Sequence, residues 1–420
     1  MVSVETSRRV HPADVFLRGF GIGEGFEWGL WLAITVYWIV ELNLSITELV
    51  LLGVVLEGTV ILSETPTGVV ADVWSRRSSL IIAQVLIGSS FAWTFLTENI
   101  WMLLASHALL GFGWTFRSGA DVAWITDELA GLGPKGKEGR GGEDGPFTDN
   151  DISQLLLRRN QIGMLLSLLI GPLTILIGWW QSVRVVGLIL SVGYISLAGF
   201  MAMFMTEDHF TPGRERGAGF VATLREGVGV VRDRPKLRVL IVVAALLFAG
   251  AEIFGRIGYV HLLETAGFRD VDGSGESLVV LGVVFFLTAL SGIALLAATE
   301  RQLEKGEGVA RIAGMLLVVG AVGGALVAST SVVVFIGLGF LLQDGVQEAM
   351  FPVMEGWANK EAPSEVRATV HSLVGQTTSL SQIGGAIILG GLAEATSVQV
   401  GLGAATALIG LAALVALRTR

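Results

Sequence analysis

Leu278-Val-Val-Leu-Gly-Val-Val-Phe-Phe-Leu-Thr-Ala-Leu-Ser-Gly-Ile-Ala-Leu-Leu-Ala-Ala298 carries no ionisable side chain. Wound as an α-helix, a run of about 20 residues covers a hydrocarbon core of roughly 30 Å. A spanning β-strand needs only ~10 residues and alternates apolar with polar, so a membrane barrel is excluded. Similar runs occupy Val239–Phe254 and Val309–Ala328. The whole chain is 52% hydrophobic and only 15% charged, where a soluble domain carries roughly 25% charged residues. The sequence therefore predicts an all-α protein that lives in a lipid bilayer.

Working outward from that run, hydropathy windows predict twelve transmembrane helices, near 16–41, 46–71, 78–98, 101–125, 157–180, 182–205, 238–263, 277–299, 309–329, 332–355, 368–392 and 397–417. Lysine and arginine gather in alternate loops, at Arg76/Arg77, Lys135 to Arg159, Arg214 to Arg238, Arg301 to Arg311, Lys360/Arg367 and Arg418/Arg420. The positive-inside rule then places both termini in the cytoplasm of a multi-pass protein, expected in a bacterial inner membrane. The first residues, with Arg8, Arg9 and His11, are too polar for a cleavable signal peptide. Polar stretches at Gly131–Asp151 and Glu207–Lys236 read as cytoplasmic loops, the second with an amphipathic stretch at Phe220–Arg232. They divide the chain into a six-helix bundle at 1–205, a linker at 206–236 and a second bundle at 237–420. The formal charge of −9 gives no indication of nucleic acid as a partner, and the absence of cysteine removes disulfides and thiolate chemistry.

Between spans two and three stands Gly68-Val-Val-Ala-Asp72-Val-Trp-Ser-Arg76-Arg77. A glycine lets two helices approach closely, and an acid with a basic cluster at a helix junction forms charge-assisted contacts. This stretch resembles the signature loop of the major facilitator superfamily, with Val73 and Ser75 where that family has a basic residue and a glycine. Glu64-Thr-Pro66 just before it, and Arg367-Ala-Thr-Val-His-Ser372 entering span eleven, are similar to the drug:proton antiporter branches, the multidrug, tetracycline and macrolide exporters. Span four carries His107-Ala-Leu-Leu-Gly111-Phe-Gly113 with histidine at the family's arginine position, and Arg117 and Asp121 follow at i to i+4 spacing. Span five carries Gly163, Gly171-Pro172 and Gly178, a partial match to the antiporter glycine-proline motif and an expected helix bend or tight seam. The resemblance implies two pseudo-symmetric six-helix bundles, a central cavity lined by spans one, four, seven and ten, and a cytoplasmic gate at Glu64, Gly68, Asp72, Arg76 and Arg77.

Acids in spanning segments are costly, about 2.5–3.5 kcal/mol each on insertion scales. Glu24, Glu27, Glu57, Asp121, Glu252, Asp344 and Glu348 are nevertheless there, with His107, Arg117 and Arg256 as the basic counterparts. Most fall on spans one, four, seven and ten. They are expected to be proton-coupling or substrate-contacting groups, with Glu27 or Glu24 first, then Glu57 and Asp344. Glu252 and Arg256 read as an internal ion pair. The surplus of acid favours a lipophilic, cationic small molecule, and Trp28, Trp31, Trp114, Phe116 and Phe248 offer aromatic faces for it.

The expectation is a proton-coupled secondary transporter, an antiporter exporting drug-like compounds by alternating access, monomeric, with the proton as coupling ion and no other cofactor. Transport of a metal, another small cation or a metabolite is the alternative, as is a receptor or lipid scramblase on the same scaffold. No ligand spacing specific for a metal and no enzyme motif is present. Gly21-Ile-Gly23-Glu-Gly25 has the glycines of a phosphate turn, but it sits inside a spanning helix and reads as helix packing.

Overall fold

The computed structural model describes residues 10–132, 149–210, 229–269, 274–305, 308–362 and 367–419, and among them every regular element is helical. The helices are α1 (Pro12–Val36, continued as a π-helix over Tyr37–Glu41), α2 (Ile46–Val73), α3 (Arg76–Phe95), α4 (Ile100–Arg117), α5 (Ala120–Leu132), α6 (Asp149–Trp180) and α7 (Val183–Phe204). They continue with α8 (Pro235–Ile253, extended by a π-helix over Phe254–Gly258), α9 (Tyr259–Ala266), α10 (Gly275–Glu304), α11 (Val309–Ser329), α12 (Val333–Glu361), α13 (Arg367–Ala395) and α14 (Val398–Leu417). Local chemistry fixes several ends. Ser75, Asn99, Ser182 and Ser397 cap α3, α4, α7 and α14 with their side-chain oxygens, each satisfying amides that the helix leaves without a partner. Gly267 closes α9 in the left-handed conformation.

Nine helical segments among the described residues are long and apolar enough to cross a membrane. The helices at expected spans one, four and eleven (α1, α4 and α13) fall outside that set because they carry the polar and ionisable side chains. Span four also differs from its expected single run over 101–125. Its helix ends at Arg117, Gly119 takes a left-handed φ of +74°, and α5 restarts at Ala120. Only glycine adopts that conformation without steric cost, so the break is written into the sequence at Gly119.

Contacts divide the chain into two compact units, Met1–Thr35 with Leu62–Gly217, and Val36–Ile61 with Ala218–Arg420. The expected linker at 206–236, with its amphipathic stretch, lies largely outside the described residues, as does most of the 131–151 loop. Residues 36–61 group with the second unit rather than with the first bundle, and specific bonds account for this. Arg269 donates from Nε to Asn43 Oδ1 at 3.0 Å and from Nη2 to the Leu44 carbonyl at 3.4 Å. Ser274 donates to Glu41 at 3.3 Å and Thr47 to Glu394 at 3.3 Å.

In the first unit, α1 lies against α6 along a glycine stripe. A Cβ on Gly21 would come within 2.9 Å of Ile162, on Gly25 within 2.7 Å of Leu166, and on Gly29 within 2.7 Å of Ile170. Glycines four apart thus receive branched side chains four apart, the small-residue packing that lets helices associate where no hydrophobic effect drives them. One core cluster of this unit holds Phe16, Phe20, Leu80, Trp124, Leu129 and Met201. In the second unit α11 packs on α12 and α14, α8 on α13 and α14, and α10 on α12.

Gly25→Val is expected to lower stability by about 1–3 kcal/mol, the usual cost of overpacking, read as a lower melting temperature of the purified protein in detergent. Gly58→Ala, at a position with nothing within 4 Å of the added methyl, is expected to leave it unchanged or raised.

Candidate functional site

In the first unit three helices bring Glu27, Arg117 and Tyr194 together. Arg117 is ion-paired with Glu27 through Nη1, its Nη2 lies 3.4 Å from Glu27 Oε2, and Nη1 also donates to the Tyr194 hydroxyl at 3.1 Å. Tyr194 in turn donates to Glu27 Oε1 at 2.6 Å. Both Glu27 oxygens and the Tyr194 hydroxyl therefore have a charge-assisted partner, which helps an ion pair persist away from water. Beside it, Arg159 on α6 holds two further acids: its Nε is 2.9 Å from Glu24 Oε1 and its Nη1 is 2.9 Å from Asp121 Oδ2. Glu24 fits there because Gly163, one turn beyond Arg159, has no side chain; an added Cβ would lie 2.5 Å from Glu24 Oε2.

These pairings part Arg117 from Asp121, whose i to i+4 spacing puts them on one face of a continuous helix. The left-handed turn at Gly119 ends the helix between them, so Arg117 turns to Glu27 and Asp121 to Arg159. Arg159 did not count among the candidates, because it reads as the last cation of a cytoplasmic loop. Helix α6 starts at Asp149, about two turns before the expected span, and takes Arg159 with it. His107 is buried, and its Nδ1 lies 2.9 Å from the Leu103 carbonyl of its own helix, so that nitrogen is the donor. Trp31 lies 6.0 Å from Trp114, Phe116 packs edge-on against Phe112, and Trp28 lies against Gly171. Helix α6 runs on through Pro172, and Gly171 serves the tight seam with Trp28: a Cβ there would lie 2.6 Å from that ring.

In the second unit Arg256 Nε is 2.8 Å from Glu252 Oε1, Gln382 donates to Glu252 Oε2 at 3.3 Å, and the guanidinium lies 5.8 Å above the Trp38 ring. Arg256 sits within the π-helical segment of α8. Gly53 of α2 leaves room for the pair, since a Cβ there would lie 2.9 Å from both Arg256 and Glu252. Asp344 is different. Its Oδ2 accepts from the Tyr259 hydroxyl at 2.9 Å, Tyr259 is stacked on Phe340 with ring centroids 4.8 Å apart, and Phe285 lies 5.3 Å from the same ring. Among the described residues no lysine, arginine or histidine pairs with Asp344 or with Glu348 one turn later. Glu57 is half-buried on α2, and Phe248 is fully buried against Phe351, so its ring is core rather than a free aromatic face.

At the signature loop, Arg76 pairs with Asp127 of α5, donates to the Ala123 carbonyl at 3.2 Å and lies 3.5 Å from Asp72. Arg77 donates to the carbonyls of Met205 and Ala202 at 2.9 and 2.6 Å. Ser75, where the resemblance leads one to expect glycine, caps α3 and donates to Glu207 Oε2 at 2.6 Å. Glu207 also accepts from the Arg77 amide at 3.0 Å, and the buried Glu128 accepts from Thr206 at 2.9 Å. These contacts tie the loop to the end of α7 within the first unit. Asp127, Glu128 and Glu207 were not read from the sequence. Gly68 differs from expectation, since a Cβ there would meet nothing within 4 Å, and Glu64 is exposed. No group of three or more His, Asp or Glu among the described residues is placed to hold a metal ion.

Glu27→Gln strands the Arg117 guanidinium and is expected to cost about 3–5 kcal/mol of stability, as for other buried pairs broken on one side. The double substitution Glu27→Gln, Arg117→Gln should recover part of that loss in thermal unfolding of the purified protein.

No family model and none of the curated proteins matches the sequence. Solved structures do. The nucleoside transporter NupG superposes with a TM-score of 0.75 at 15% identity, covering 96% of this chain and 99% of its own. A bacterial homologue of the human lysosomal transporter Spinster, inward-facing and unoccupied, gives 0.71 at 12% identity over 97% and 96% of the two chains. A POT family transporter in complex with 5-aminolevulinic acid gives 0.71 at 13% identity over 96% and 94%. Coverage is nearly complete in both directions, and the chain has the major facilitator fold.

Proposed function

We propose that this protein is a proton-coupled secondary transporter that exports hydrophobic, cationic drug-like compounds in exchange for protons, by alternating access of two halves. It works as a monomer in the bacterial cytoplasmic membrane with both termini inside, and the proton is its coupling ion. One observation carries the reading: the spanning helices hold more acids than guanidiniums to pair with them. Arg117 and Arg159 hold Glu27, Glu24 and Asp121; Arg256 holds Glu252; among the described residues no cation pairs with Asp344 or Glu348. A negative surplus in a low-dielectric setting attracts cations. The fold supports transport as the activity, since its neighbours among solved structures are described as transporters of nucleosides and other small molecules.

Among the candidate coupling acids, Glu27 or Glu24 and then Glu57 and Asp344, we favour Asp344. Glu27 is ion-paired with Arg117, whereas Asp344 accepts from the Tyr259 phenol and, among the described residues, has no cation beside it. An acid without a cation sheds its insertion cost by taking up a proton, and losing that proton again is what couples a gradient to movement. Tetraphenylphosphonium uptake into inside-out vesicles with an acidic interior tests this. Wild type should accumulate the cation when the gradient is imposed. Asp344→Asn should lose gradient-driven uptake at least tenfold while exchange of preloaded cation persists. Gradient-driven uptake that survives in Asp344→Asn removes Asp344 from the coupling role, and none in wild type removes the coupling itself.

A further inference from the structure

Two acids share one guanidinium at Arg159, and the surroundings of that guanidinium are those of a receptor for an organic cation. Glu24 Oε1 approaches Nε at 2.9 Å, Asp121 Oδ2 approaches Nη1 at 2.9 Å, and Asn160 Oδ1 lies 3.2 Å from Nε. The Phe16 ring lies under the carbon of the guanidinium at 5.7 Å, within the range of a cation–π contact. A planar cation over an aromatic face, bound at two edges by carboxylates, is the pattern by which proteins recognise amines and guanidines. Here the protein supplies the cation itself. With one positive charge set against two negative ones, the cluster keeps a net charge of about −1 while Arg159 is in place, so the position still attracts a second cation.

Three backbone features set the arrangement up. The left-handed turn at Gly119 swings Asp121 away from Arg117 and toward α6. Gly163 lets Glu24 lie flat against the same helix one turn from Arg159. The Glu27–Arg117–Tyr194 trio, nearly one turn along α1 from Glu24, commits both Nη atoms of Arg117 to Glu27 and Tyr194. Arg159 is therefore the cation over which Glu24 and Asp121 compete, and it sits near the start of a long helix, on a side chain with four rotatable carbon bonds that can swing out of the way.

We infer that Arg159 is a tethered competitor: its guanidinium fills the position taken by the charged group of an organic monocation, and so sets the affinity of the transporter for such substrates. The inference rests on the cationic-substrate reading above and assigns where that charge binds. An incoming amine or guanidine must displace Arg159 from Glu24 and Asp121, which weakens binding and restricts it to molecules whose apolar parts offset the displacement. Arg159 acts here as a specificity-determining residue, in contact with the substrate's position rather than with the coupling acid.

Equilibrium binding of tetraphenylphosphonium and of hexylguanidinium to the purified full chain in detergent, with no pH gradient, tests it. Arg159→Gln is expected to bind both at least tenfold tighter than wild type, and Arg159→Lys to stay close to wild type. Adding Asp121→Asn to Arg159→Gln should abolish the gain. Asp121→Asn alone is the arm that stands if Arg159→Gln does not fold: one acid then faces one arginine, the competitor holds its place, and affinity falls at least tenfold. Equal or weaker binding by folded Arg159→Gln, or unchanged binding by Asp121→Asn, overturns the inference while leaving the transport reading in place. Failure of every form, wild type included, to bind either cation removes the cationic-substrate reading and this inference with it.

Discussion

Charge in a lipid bilayer has to be answered by charge, by water or by a proton, and the polar architecture of this protein follows from which answer each acid receives. Glu27 is answered by Arg117 and Tyr194, Glu24 and Asp121 by Arg159, and Glu252 by Arg256 and Gln382. Each pairing constrains the helices that carry it. Arg159 joins α1, α5 and α6, while Arg117 joins α4 to α1 and, through Tyr194, to α7. A salt bridge in this setting is weak evidence of net stabilisation, because desolvation offsets much of the Coulombic gain. It is strong evidence of register, since a helix slipped by one residue loses its partner and exposes an ion to hydrocarbon.

Register in turn depends on backbone departures from the ideal α-helix. The turn at Gly119 separates Arg117 from Asp121, and the π-helical segment over Phe254–Gly258 carries Arg256 to the face where Trp38 and Gly53 lie. A π-turn widens the helix by one residue and rotates everything that follows, and such turns are frequent at functional positions. Glycine acts as the complement. Gly163 and Gly53 each remove a side chain opposite an ionised group, so that a carboxylate or guanidinium can lie against a neighbouring helix. The stripe at Gly21, Gly25 and Gly29 draws α1 close enough to α6 for Glu24 to reach Arg159.

The helices were legible in the sequence because hydrocarbon thickness dictates their length; α11, at Val309–Ser329, coincides with its hydropathy window. The i to i+4 pair at Glu252 and Arg256 was legible for a similar reason, since helix geometry alone places the two groups together. Pairings between distant segments were not. Arg159 at the edge of a basic loop looks like any positive-inside anchor, and only the early start of α6 reveals it as a partner for α1 and α5. Arg117 and Asp121 lie on different helices rather than on one face, because a four-residue spacing has meaning only while the helix is continuous, and Ser118-Gly119 was the available warning. Ser75 could have been recognised as a cap, being a serine immediately before a helix. Glu207 had no such signal, because its contact with Ser75 and Arg77 joins residues about 130 positions apart.

The chain has three tyrosines, and two of them, Tyr194 and Tyr259, donate their hydroxyls to acids on spanning helices. The comparison isolates a single variable. In one unit the phenol–carboxylate pair has a guanidinium as third member; in the other, no cation among the described residues pairs with Asp344, and the Phe340 and Phe285 rings pack on the Tyr259 ring. A phenol can donate to a carboxylate or accept from a carboxylic acid by turning its hydroxyl, so it tolerates either protonation state of its partner. A guanidinium tolerates only one, because it has no lone pair to accept a proton and never gives up its charge. Tyr194 therefore adds to a contact that Arg117 already makes, while Tyr259 can bond its partner in either protonation state. That contrast is why, in the proposed cycle, the proton belongs to Asp344 rather than to the trio around Glu27.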